Sequence, residues 1–122
     1  MKDNIVKLIN TEYKTKKAFD LKVQQDVCWE FCRKIFRIFG INLPDHPHQG
    51  LIKVSENDIS IPCVVLFRIG DLWHSGILWS DGLHFIHVVF ESLNNNKKYM
   101  IRQDKITIWP WSNIIEGYYK YE

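Results

Sequence analysis

The stretch Trp73-His74-Ser75-Gly76-Ile77-Leu78-Trp79-Ser80-Asp81-Gly82-Leu83-His84-Phe85-Ile86-His87-Val88-Val89-Phe90 decides how this chain folds. Residues 73–79 and 83–90 are rich in β-branched, aromatic and aliphatic side chains, and Asp81-Gly82 separates them. Asp-Gly is a favoured type I′ turn, so the two runs read as a hairpin. A two-residue turn pairs Leu78 with Phe85, Ile77 with Ile86 and Gly76 with His87. Side chains alternate between the faces of a strand. His74, Gly76, Leu78, Phe85 and His87 then share one face, and His84 falls on the other with Ile77 and Trp79. His74 and His87 become diagonal neighbours, roughly 7 Å apart at the backbone, close enough for two imidazoles to hydrogen-bond. Gly76, opposite His87, leaves room for the ring. A three-residue loop would flip this register and bring His84 to His74 instead.

Upstream of the hairpin, Cys28, Phe31, Cys32, Ile35, Phe36 and Phe39 recur at the spacing of one helical face. The predicted helix runs over residues 26–39, capped by Asp26 and closed by Gly40, with Pro44 preventing resumption. Cys28 then falls in the first turn, where free N–H groups and the helix dipole favour a thiolate. A thiol there, an imidazole to take its proton and a second ring to hold that imidazole make the layout of a papain-type cysteine hydrolase. The competing reading is that Cys28 is a small buried hydrophobe on an apolar stripe, as Cys32 and Cys63 are expected to be.

The chain has 122 residues, 46% of them hydrophobic and 25% charged, which fits one soluble globular domain with its own core. A net charge of +2 is too small to argue for a nucleic-acid partner. Lys14, Lys16, Lys17 and Lys22 read as a solvated face. Three cysteines without metal-type spacing argue against a disulfide framework and for synthesis in a reducing compartment. His46 and His48 flank Pro47 at a spacing that suits no standard metal site, and neither a metal nor another cofactor is expected. Neither a signal peptide nor a membrane span is read in the sequence. Residues 3–10 read as a short helix, and residues 51–60 as a short helix or irregular segment. Strands are predicted at 64–69, 99–103, 105–109 and 118–121 besides the hairpin.

The segment Asp26-Val27-Cys28-Trp29-Glu30-Phe31-Cys32-Arg33-Lys34-Ile35-Phe36-Arg37, followed by Gly40-Ile41-Asn42-Leu43-Pro44-Asp45, resembles the nucleophile helix of the NlpC-type cell-wall cysteine peptidases. The phage tail-associated branch is the most similar. His74-Ser75-Gly76-Ile77-Leu78 and Phe85-Ile86-His87 resemble that family's His-x-Gly-Ile and Phe-Ile-His strands. Ile115-Glu116-Gly117-Tyr118-Tyr119 is similar to the closing strand of the phage branch, and Leu8-Ile9-Asn10-Thr11-Glu12-Tyr13 to the family's opening helix.

The resemblance implies an α+β, papain-like NlpC-type fold over residues 1–122, an N-terminal nucleophile helix packed on an antiparallel sheet of about five strands. It implies Cys28 as nucleophile, His74 as general base and His87 as the residue that orients it. The backbone N–H of Cys28 and the side chain of Tyr13 would hold the oxyanion. The implied substrate is a peptidoglycan stem peptide, cut at the γ-D-glutamyl–diamino acid bond through an acyl-enzyme. Phage tail proteins are the implied partners, with synthesis in the bacterial cytoplasm and a final place in the virion tail. The alternative is a catalytically silent tail or assembly module that keeps the fold for binding.

Overall fold

A computed structural model describes residues 12–13, 21–47, 49–79, 82–93 and 96–121. Its centre is an antiparallel sheet with one long helix against it. The elements run β1 (Glu12–Tyr13), α1 (Leu21–Ile38), β2 (Ile52–Val54), a 3-10 turn (Glu56–Asp58), β3 (Cys63–Ile69), β4 (Leu72–Leu78), β5 (His84–Leu93), β6 (Asn96–Lys105), α2 (Trp111–Ile114) and β7 (Ile115–Lys120). Among the described residues the strands lie in the order β1-β6-β5-β4-β3-β7-β2, seven where about five were expected. The two extra are short edge pieces: β1 pairs with β6, and β2 with β7. The α+β class and the antiparallel sheet stand.

The hairpin register is the one the Asp-Gly turn implies: Ile77 pairs with Ile86 and Leu78 with Phe85. The ladder between β4 and β5 has only these two pairs, whereas β3 pairs with β4 along seven residues. The two hairpin strands therefore fork beyond Ile77 and Ile86, and this fork positions the site.

Residues 64–67 form a continuous apolar run because both faces of the central sheet are covered. Helix α1 turns Cys28, Phe31, Cys32, Ile35 and Phe36 onto Val64, Leu66, Ile77, Ile86, Val88 and Ile101 on one face. On the other, Cys63, Val65, Phe67, Leu78, Phe85, Ile106 and Tyr118 pack beneath Trp111, Ile114 and Ile115. Each fully buried large side chain contributes about 1.5–3 kcal/mol by leaving water.

The helix ends as expected. Gly40 adopts φ 80°, and the amides of Gly40 and Ile41 bond the carbonyls of Arg37 and Phe36, a Schellman closure. The following loop is tied back to α1 by Trp29 Nε1–H donating to the Pro44 carbonyl at 2.9 Å and by Arg33 meeting Asp45 at 3.2 Å.

Other expectations need correction. The helix begins at Leu21 rather than at residue 26, since Leu21-Lys22-Val23-Gln24-Gln25 contains no helix breaker. The strand expected at 105–109 is a turn: Ile106 is buried, but Ile108 and Trp109 are exposed, so the alternation has no matching core face. Residues 51–60 hold strand β2 and the 3-10 turn. The helix expected at 3–10 lies outside the described residues. Among those described, no helix is long and apolar enough to cross a membrane.

Candidate active site

Four side chains from α1, β4, β5 and β6 form one unbroken chain of contacts. Cys28 Sγ lies 3.3 Å from His74 Nδ1. His74 Nε2 lies 2.7 Å from His87 Nδ1. His87 Nε2 lies 2.7 Å from Asp104 Oδ2, which also accepts Arg102 Nε–H at 2.9 Å. Strand pleat and register produce this row. His74 sits opposite Phe67, Phe85 opposite Asp104, and His87 opposite Arg102. All therefore project from the face that α1 does not cover.

Cys28 comes from the other face and meets His74 at the fork. Its sulfur lies 3.4 Å from the Val88 carbonyl on β5 and against the backbone of Ser75 on β4. Had the ladder continued past Ile77, paired backbone would stand between the two layers. Gly76 is also required for close approach: a Cβ there would lie 2.7 Å from Phe85 Cδ2 and 3.1 Å from the Ile86 carbonyl oxygen.

Aromatic rings wall in the imidazoles. Trp111 stacks on His74 with centroids 5.5 Å apart, and His87 meets both Trp111 and Phe85 within 5 Å. Cys28 and His87 have no exposed surface, and His74 is only 6% exposed. Burial pushes the Cys28 thiol well above its ordinary range; neighbouring Cys32 adds to this, and the Ser75 backbone opposes it. Burial likewise drives Cys32 up to about 12 and Cys63 to about 11. His74 is held well below 6.5 by burial and by His87, against a pull upward from Asp104. His87 is also lowered by burial, which outweighs its hydrogen bond to Asp104. At rest the pair is thus a neutral thiol beside a neutral imidazole.

This corrects the expected electrostatics. Cys28 is the eighth residue of a helix that begins at Leu21, so it lies two turns in. Its amide is beyond the first four free N–H groups and is committed within the helix. Neither the thiolate stabilisation nor the oxyanion contact expected of a first-turn cysteine is available there. The two histidines meet as expected, and Cys28 reaches His74. The side chain of Tyr13 lies outside the described residues; its backbone pairs with Tyr99. Asp104 and Arg102 were missed. The register that brings them in runs from Leu93 opposite Asn96 back to His87 opposite Arg102 and Phe85 opposite Asp104. Among the described residues, no group of three or more His, Cys, Asp or Glu is placed to hold a metal ion. No family model and no curated protein matches this chain.

Proposed function

We propose that this protein is a cysteine hydrolase of the NlpC type, with a papain-like arrangement in which Cys28 is the nucleophile, His74 the general base and His87 the residue that orients it. The observation that carries the reading is the contact chain of 3.3 Å from Cys28 to His74 and 2.7 Å from His74 to His87. Because both partners start neutral, proton transfer accompanies attack. The sulfur bonds to the scissile carbonyl carbon as the S–H proton passes to His74 Nδ1. Collapse of the tetrahedral adduct breaks the C–N bond, and the same proton goes to the leaving amine. Water, deprotonated by His74, then releases the acyl group and restores the thiol. The proposed substrate is a peptidoglycan stem peptide at its γ-D-glutamyl–diamino acid bond, on the strength of the Cys-Trp, His-x-Gly-Ile and Phe-Ile-His segments. Service in a phage tail is proposed on the same ground.

One observation favours a second reading. The Cys28 sulfur is sealed and its thiol is raised, as in a silent module that keeps the fold for binding. Hydrolysis requires the cover over the sulfur to open before a carbonyl arrives. Digestion of purified peptidoglycan with wild type and Cys28→Ala, read by mass spectrometry of the soluble fragments, separates the two. The hydrolase releases stem-peptide fragments that the variant does not. Intact peptidoglycan with both proteins, accompanied by equal sedimentation of both with it, establishes the binding module.

A further inference from the structure

We propose that Asp104, held by Arg102, is a positioning residue that sets the tautomers of both imidazoles, so that a lone pair on His74 Nδ1 faces the Cys28 thiol. The argument starts at the far end of the contact chain, with the group whose role is fixed by its chemistry. Arg102 carries only donors, and its Nε–H points at Asp104 Oδ2 from 2.9 Å. Asp104 therefore accepts. Hydrogen bonds from His87 and Arg102 hold its carboxyl below the ordinary carboxylate value, against a desolvation that acts the other way. The same oxygen lies 2.7 Å from His87 Nε2, so His87 Nε2 must carry the proton. A neutral imidazole has one N–H, which leaves His87 Nδ1 as an acceptor. His74 Nε2, 2.7 Å away, must then donate, and His74 Nδ1 is left with the lone pair. That nitrogen is the one 3.3 Å from the Cys28 sulfur.

The relay has a direction, and one exposed-side ion pair imposes it on two buried rings. Arg102 is about half exposed and Asp104 about one quarter, while His87 is fully buried. Without an obligate acceptor at Nε2 the histidine pair could equally run the other way, with His74 Nδ1–H aimed at the sulfur and no base for the thiol proton. When His74 takes that proton it becomes an imidazolium with both nitrogens protonated. Its Nε2–H bond to His87 is kept, and the Asp104 charge offsets the new positive charge from beyond His87. Asp104 stays ionised throughout.

The tautomers can be read without any substrate. Long-range 1H–15N correlation spectra of protein labelled with 15N-histidine, at pH 7.5, distinguish protonated from unprotonated ring nitrogens. In wild type both His74 and His87 are expected to carry their protons on Nε2. In Asp104→Leu nothing at this position accepts from His87 Nε2–H. Forms of both rings protonated on Nδ1 should then appear. Asp104→Asn, whose carbonyl oxygen can take the place of the one oxygen that meets both Arg102 and His87, should keep the wild-type pattern. A wild-type spectrum with either ring protonated on Nδ1 overturns the proposal, and so does a Leu variant, folded by its amide spectrum, whose rings keep the wild-type pattern. The wild-type spectrum decides the assignment alone if the Leu variant does not fold. The effect on turnover rests on the hydrolase reading. Asp104→Leu should lower kcat on peptidoglycan by on the order of 10²–10⁴-fold with little change in KM, and Asp104→Asn should keep most of it. Wild type that leaves peptidoglycan intact while showing both Nε2–H tautomers defeats the hydrolase reading and leaves the relay standing.

Discussion

The indole of Trp111 stacks on the His74 ring, 5.5 Å between centroids with the planes tilted by 25°, and stands edge-on to His87 at 4.8 Å. The short helix α2 (Trp111–Ile114) thus supplies the wall that separates both imidazoles from water on the side away from α1. Two effects compete in that contact. The indole face favours a cation above it, by about 0.5–2 kcal/mol. Exclusion of water disfavours the cation, and burial is the leading cause of the depressed His74 value. Desolvation wins at rest.

Removing the wall should therefore reverse the shift. In Trp111→Ala, the pKa values of His74 and His87 should rise toward 6.5, followed by NMR titration of the imidazole Cε1–H signals. Stability should fall by about 3 kcal/mol in chemical denaturation, because Trp111 also packs on Phe67 and Phe85. Histidine values unchanged in a folded variant would mean that other walls keep the rings dry.

The same burial fixes how stability depends on pH. Both histidines have folded values below 6.5, so below that pH the unfolded chain binds protons that the folded one refuses. Stability is fully present above pH 6.5 and lost as the pH falls toward the folded values, by about 1.4 kcal/mol per pH unit for each ring. The three cysteines are raised above 9.0, so there the unfolded chain releases protons first and stability declines as the pH rises past 9.0. Urea midpoints measured from pH 5 to 10 should trace a plateau between these limits with a fall on each side. His87→Ala should flatten part of the acidic fall.

Gly76 offers a test of the fork. An added Cβ would meet Phe85 Cδ2 at 2.7 Å, the Ile86 carbonyl oxygen at 3.1 Å and His87 Cβ at 3.3 Å. The backbone oxygen has nowhere flexible to go, so Gly76→Ala should push β5 away and move His87 from His74. The expected cost is about 1–3 kcal/mol in thermal or chemical unfolding. The His87 tautomer signal should change with it. A variant as stable as wild type would show that the strands already have slack at this point.

The hairpin and the apolar stripe of α1 were legible because each rests on a strong local rule: Asp-Gly fixes a turn, and a 3.6-residue period fixes a face. These two rules alone put His74 and His87 on one face. The ionisation state of Cys28 was not legible. It depends on how deep the residue sits and where its helix begins, and nothing in residues 21–25 marks a start. The strand expected at 105–109 misled because Ile106, Ile108 and the intervening threonine mimic alternation where only Ile106 has a core to enter. Asp104 escaped for a different reason: a carboxylate gains meaning only once a second hairpin register is counted, and Asn-Asn is a quieter turn signal than Asp-Gly.

The forked hairpin has a consequence for assembly. Sulfur arrives with the helical layer and nitrogen with the opposite one, so neither half of the molecule, docked alone, holds both partners of the Cys28–His74 contact. The contact between them forms only when both compartments have closed around the parting strands, and a partly unravelled chain bares the thiol with no imidazole beside it.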